Sequence, residues 1–228
     1  MIVPLMTVQE IHKEVYEDIK NLKSKLDECK KDFKRIVLKQ PKNPLSNRNY
    51  PFSKSYDTKT SEKKNFFIST FTALKRSDWE KPIVSIFGIY SRSEGNYAVS
   101  INIDIKTITI YPPHFFKRYR ERIIKDDLIS NEDLIRQYFQ NDWGFMATSV
   151  NKDFEAVYLS FENDDKNDKV SFIAATSQGY CFGEKQGDVN IIKTILSEDN
   201  LFENQKQTFS KLKIAFKEAN KERYGSII

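Results

Sequence analysis

Apolar residues recur at Val8, Ile11, Val15, Ile19, Leu22, Leu26, Cys29, Phe33 and Ile36, with spacings that alternate between three and four. That is the seam of an amphipathic helix with heptad character. Thr7 followed by Glu10 has the spacing of a capping box, in which each residue satisfies a free backbone N–H near the other. The pattern predicts a helix over 7–39, stopped by Pro41 and Pro44. Residues 1–41 thus form one helical segment, and 42–64, rich in Ser, Asn, Lys and Thr, read as a linker or irregular loop.

From Asn65 the period changes to two. Strand-like runs lie at 66–74, 83–90, 97–103 and 107–111, separated by Ser77-Asp78, by Ser93-Glu94-Gly95-Asn96 and by Asp104-Ile105-Lys106, the pattern of an antiparallel meander. Pro112-Pro113 ends it and opens a basic helix over 113–125, Pro being well placed in a first helical turn. Ser130 with Asp133 opens a short helix that reaches about Gln140. Further strands are expected at 145–150, 156–161, 170–176, 180–182 and 189–196, and Asn200 with Glu203 opens a last helix. The class is α+β: an antiparallel sheet of about eight or nine short strands, a long N-terminal helix, one or two central helices and a C-terminal helix, with 65–228 as the body.

The 228 residues are 39% hydrophobic and 13% aromatic with only seven Gly and seven Pro, which excludes collagen-like, low-complexity and wholly disordered chains. Residues 1–81 carry 18 Lys/Arg against 11 Asp/Glu, a balance of +7, whereas the rest carry 19 against 21, a balance of −2. A basic N-terminal segment permits contact with phosphate or acidic surfaces, although a solvated lysine face gives the same arithmetic. Cys29 and Cys181 follow no metal-ligand or disulfide spacing. Gln9, Glu10 and Lys13 interrupt the apolar start before a secretory core forms, and no run approaches membrane-spanning length. The expectation is a soluble, cytoplasmic protein without membrane partners, metal or cofactor.

Two histidines narrow the search for groups that titrate near neutrality. His12 lies beside the helix seam, a flanking position. His114 opens the basic helix, and at 100° per residue His114, Arg118, Arg122 and Lys125 fall within an arc of about 80°, while Phe115, Phe116, Tyr119 and Ile123 cluster opposite. Guanidiniums hold phosphate oxygens through paired hydrogen bonds and an imidazole can move a proton, so this face suits a phosphodiester. A solvated arginine face would look the same. Tyr111 and Lys193 join the candidates for ligand contact.

The element His114-x-x-x-Arg118-x-x-x-Arg122 at a helix start, followed by antiparallel strands and a late strand carrying Lys193-Thr194, resembles the arrangement in the barnase/RelE/colicin-type ribonuclease toxin superfamily over about residues 107–197. The resemblance implies metal-independent RNA cleavage with His114 as acid or base, Arg118 and Arg122 on the phosphate and Thr194 as an auxiliary polar group. The four-strand region before His114 and the long helices at both ends lie outside that pattern.

Other motifs carry less. Gly179, Gly183 and Gly187 invite a phosphate-loop reading, but no Gly-Lys-Ser/Thr closes the segment, and a strand ending in a hairpin turn explains them. The loop 163–168 is acidic like a calcium loop yet lacks its central Gly and terminal Glu. The functional expectation is binding of RNA or another phosphate-bearing ligand, with phosphodiester cleavage as its extension. The alternative is a non-enzymatic assembly module that pairs with a second copy or a partner protein through 7–39.

Overall fold

The computed structural model describes residues 1–40, 50–150 and 169–225. The strands Phe52–Lys59 (β1), Phe66–Ala73 (β2), Ile83–Arg92 (β3), Gly95–Asn102 (β4), Thr107–Tyr111 (β5), Phe145–Ser149 (β6), Val170–Thr176 (β7), Tyr180–Gln186 (β8) and Val189–Leu196 (β9) form one sheet in the order β1-β2-β3-β4-β5-β9-β8-β7-β6. The pairs β1–β2, β2–β3, β6–β7, β7–β8 and β8–β9 are antiparallel. With helices before, between and after the strands, the α+β class stands. The chain divides into two compact units, one of residues 1–93 and 98–108 and one of 94–97 and 109–228. The expected strand at 156–161 and the calcium-like loop at 163–168 lie outside the described residues.

The first unit begins with helix Val8–Ile19 (α1), capped as the sequence predicts: Thr7 Oγ1 accepts from the Glu10 N–H at 3.3 Å and the Glu10 carboxylate accepts from the Thr7 N–H at 2.7 Å. A 3₁₀ turn, Lys20–Leu22, joins it to helix Lys23–Lys39 (α2). Of the seam residues, Ile11, Val15, Leu22 and Phe33 are within 1% of full burial and Ile19 is buried, whereas Val8, Leu26, Cys29 and Ile36 are half-buried; near the end of α2 the buried position is Val37 in place of Ile36. Phe33 and Val37 pack on Phe71 and Ala73 of β2, with Phe52 and Tyr56 of β1 against them. Most of the seam is therefore used inside the chain, and the structure lends no support to the expectation that it pairs with a second copy or a partner.

A second correction concerns 42–64. Phe52–Lys59 is a strand with full antiparallel register, from Phe52 opposite Ala73 to Lys59 opposite Phe66. Its two faces differ: Phe52 and Tyr56 join the α2 core, while Ser53 and Ser55 on the other face meet Thr72 and Thr70 in hydroxyl pairs of 2.8 Å each.

The second unit packs helices on both faces of its strands. Tyr180 and Phe182 of β8 meet Phe209 of the C-terminal helix Glu203–Tyr224 (α5) at ring distances of 4.8 and 6.0 Å. Cys181, between them in sequence, points to the opposite face and bonds Tyr138 of helix Asn131–Gln140 (α4). Helix α5 starts at Glu203, two residues later than a cap at Asn200 places it, because Ser197 opens a separate 3₁₀ turn over Glu198–Asn200.

Candidate anion-binding site

Helix Pro113–Tyr119 (α3) follows β5 directly, and its roll is set by aromatic packing. Phe115, Phe116 and Tyr119 are at most 3% exposed and surround Tyr111, Tyr138 and Phe139. Tyr111 lies 5.2 Å from Phe115, 5.3 Å from Tyr138 and 5.2 Å from Phe139, ring centre to ring centre. These edge-on contacts fix which side of α3 is buried. His114 and Arg118 are left on the exposed side.

Tyr111 was expected to touch ligand; at 2% exposure it belongs instead to this aromatic core. An aromatic beside a basic helix is the misleading signal, since all five residues of β5 are buried.

After Tyr119 the helix widens into a π turn, Arg120–Ile124, closed by Lys125 in the left-handed conformation with φ 56° and its N–H donating to the Arg120 carbonyl at 2.7 Å. Such single π turns recur at functional positions. Here the turn carries Arg122, which donates from Nη1 to the Ile195 carbonyl at 2.7 Å and to Thr194 Oγ1 at 3.2 Å. His114, one end of the same segment, hydrogen-bonds the Lys193 backbone. The helix and β9 thus run side by side, joined at both ends by the residues singled out in the sequence. Lys125 is exposed and serves as the terminating residue of the turn.

The electrostatics follow from that juxtaposition. Partial desolvation pushes the His114 pKa below the ordinary imidazole value, and the nearby Arg118 and Lys193 cations push it the same way, against the opposing hydrogen bond to Lys193. Arg118 also acts on Arg122. Two carboxylates answer these cations. Glu121 meets Arg118 Nη1 at 3.2 Å with both side chains exposed, a pair of little energetic weight. Glu184 meets Lys193 Nζ at 2.7 Å and Lys169 Nζ at 3.2 Å and accepts from Gln186 Nε2 at 2.6 Å. Burial alone would raise Glu184, but Lys193, Gln186 and Lys169 together keep it below the usual carboxylate range. Sequence reasoning missed Glu184 because its partners lie nine and fifteen positions away in neighbouring strand segments.

The seam therefore collects His114, Arg118, Arg122 and Lys193, with Thr194 as a hydroxyl between two of them. Arg122 and Lys193 are held in place by protein partners, and Arg118 is held only by an exposed glutamate that an incoming anion can replace. This arrangement can hold a phosphate group. It offers one imidazole for proton transfer, whereas in-line cleavage of a phosphodiester calls for both an acid and a base.

His12, the other histidine, bonds the Lys106 carbonyl at 2.9 Å and stacks beside Tyr16, a structural role. Gly179 and Gly183 border and lie within β8, and the turn falls at Gly187-Asp188, so the strand-and-hairpin reading of this segment holds. Among the described residues no group of three or more His, Cys, Asp or Glu is placed to hold a metal ion, and no helix is long and apolar enough to cross a membrane. Compared with protein-family models, with curated proteins and with solved structures, the chain matches none.

Proposed function

We propose that the seam between α3 and β9 binds phosphate groups of RNA, with Arg118 as the main cationic contact, Arg122 and Lys193 as charges held in place beside it and His114 as the group that senses or moves a proton. The observation that carries this reading is the gathering of three permanent cations and one imidazole on a single helix–strand seam, close enough for Arg118 and Lys193 both to act on His114. A protein keeps mutually repelling cations together at a cost, and an anion relieves it. The resemblance to ribonuclease toxins points to the same residues and adds cleavage, for which His114 is the proton-transfer group.

The test is fluorescence anisotropy with a 5′-labelled ten-nucleotide RNA at low salt, with EDTA present and the RNA inspected on a gel. Wild type binds, and Arg118→Ala weakens binding about tenfold, the scale of one charge-assisted contact. His114→Ala changes affinity less and removes any cleavage that wild type shows. Equal binding by wild type and Arg118→Ala, or no retention of RNA by wild type, defeats the reading.

A further inference from the structure

Helix α2 lies in the first unit and carries seven Lys/Arg against three Asp/Glu, yet its acids are not spread evenly among its bases. Glu28 pairs with Lys25 at 3.0 Å, and Asp32 is taken by Arg35 at 2.5 Å, by Lys54 at 3.1 Å and by the Tyr56 hydroxyl at 2.9 Å. These pairs hold down one flank. Lys23, Lys30, Lys31 and Lys34 occupy a different arc, about 100° wide at 100° per residue, in which Asp27 is the single acid. All four are exposed. Like charges three and four positions apart repel, so the fold maintains this row against its own electrostatics.

We propose that this row is a contact surface for the phosphate backbone of a nucleic-acid duplex, bound without sequence preference. Three observations select that occupant. From Lys23 to Lys34 the helix rises about 16 Å, long enough for the row to reach phosphates on both sides of a duplex groove. A surface specialised for single strands adds aromatic platforms for the bases. The aromatic beside the row, Trp79, already has Lys34 Nζ over its ring at 4.1 Å. Firm seating on a membrane adds insertion of an apolar face to charge attraction, and on α2 Phe33 and Val37 are fully buried against β2, leaving Leu38 as the exposed large apolar residue of the helix. A row of ammonium point charges on a helix whose other side is anchored fits a regularly charged polymer. This inference uses residues separate from the α3–β9 seam and stands or falls independently of it.

The experiment uses the full chain and a labelled 20-base-pair RNA duplex, titrated by anisotropy at several salt concentrations. The variant replaces Lys23, Lys30, Lys31 and Lys34 together by Gln, exposed substitutions whose folding is checked by circular dichroism. Wild type binds the duplex more tightly than either of its single strands. The fourfold variant loses at least tenfold in affinity, and its slope of log K against log salt is shallower by about 0.9 for each lysine that neutralised a phosphate. Duplex and single strand are compared in the Arg118→Ala background, so that RNA held at the other seam does not enter the comparison. An unchanged affinity and slope in the fourfold variant, or equal binding of duplex and single strand, overturns the proposal. So does binding to phosphatidylserine-containing vesicles, lost in the variant, without binding to the duplex.

Discussion

Asp142 ends the turn after α4, where its carboxylate accepts from the Gly144 N–H at 3.0 Å and lies near Tyr111, Tyr119 and Tyr138, whose ionisation it opposes. Desolvation pushes its pKa up to about 6, and the bond from Gly144 only partly offsets this. The folded chain therefore holds this proton more tightly than the unfolded chain, where a carboxyl titrates near about 4. By linkage the contribution of Asp142 is most favourable below pH 4 and declines as pH rises to about 6. Asp142→Asn keeps the acceptor for Gly144 and removes the charge from this half-buried position. Urea unfolding at pH 4, 5 and 7 should show the variant more stable at pH 7 by about 1–3 kcal/mol, with the difference gone at pH 4. A difference independent of pH would mean that the carboxyl is solvated. In the sequence Asp142 reads as an ordinary junction residue, because the groups that desolvate it come from β5, α3, α4 and β8. His114 and Arg122 were legible for the opposite reason, since one short helix carries them and helical periodicity alone places them on a face.

At the scale of elements, the sheet shows which signals survive in sequence. Strands such as β2, with Phe66, Phe67, Ile68 and Phe71, announce themselves through dense apolar and β-branched residues. Strand β1 does not, because Ser53, Lys54, Ser55, Asp57 and Lys59 make it read as loop, and its stability comes from hydroxyl pairs and from two aromatics facing α2. The π turn was equally hidden, for helical propensity does not distinguish a widened turn from a regular one. Within β8 the glycine at 183 has a steric reason that its sequence setting suggests only as a turn. The β8–β9 register shifts between Phe182 and Gly183, and a Cβ at 183 would sit 2.4 Å from the Ile191 carbonyl oxygen and 2.8 Å from the Phe172 ring. Backbone cannot yield cheaply there. Gly183→Ala should cost about 1–3 kcal/mol in chemical denaturation, as overpacking does elsewhere. Because β9 carries Lys193, Thr194 and the carbonyl that holds Arg122, the same variant should also weaken RNA binding at the α3 seam. A neutral result in both measurements would show that the bulge relaxes freely.

For the molecule as a whole, the N-terminal helices decide between a chain that assembles through its seam and one that folds around it. The two possibilities share one sequence pattern, since a heptad-like stripe serves a coiled coil and a helix docked on a sheet equally well. Burial separates them: Val15 and Phe33 have no exposed surface within a single chain. Full-length protein should therefore scatter light as a species of 26.8 kDa. Val15→Asp sharpens the distinction. If the seam joined two copies, a charge there would halve the mass and leave each chain folded. With the seam inside, the variant must bury an unpaired carboxylate, at a cost of several kcal/mol against a total stability of about 5–15 kcal/mol. Loss of helical circular dichroism and binding of a hydrophobic dye should follow, while Ser24→Asp on the exposed side of α2 changes neither. A folded Val15→Asp protein of half the wild-type mass would falsify the internal seam, and with it the assignment of the outward face of α2 to an external partner.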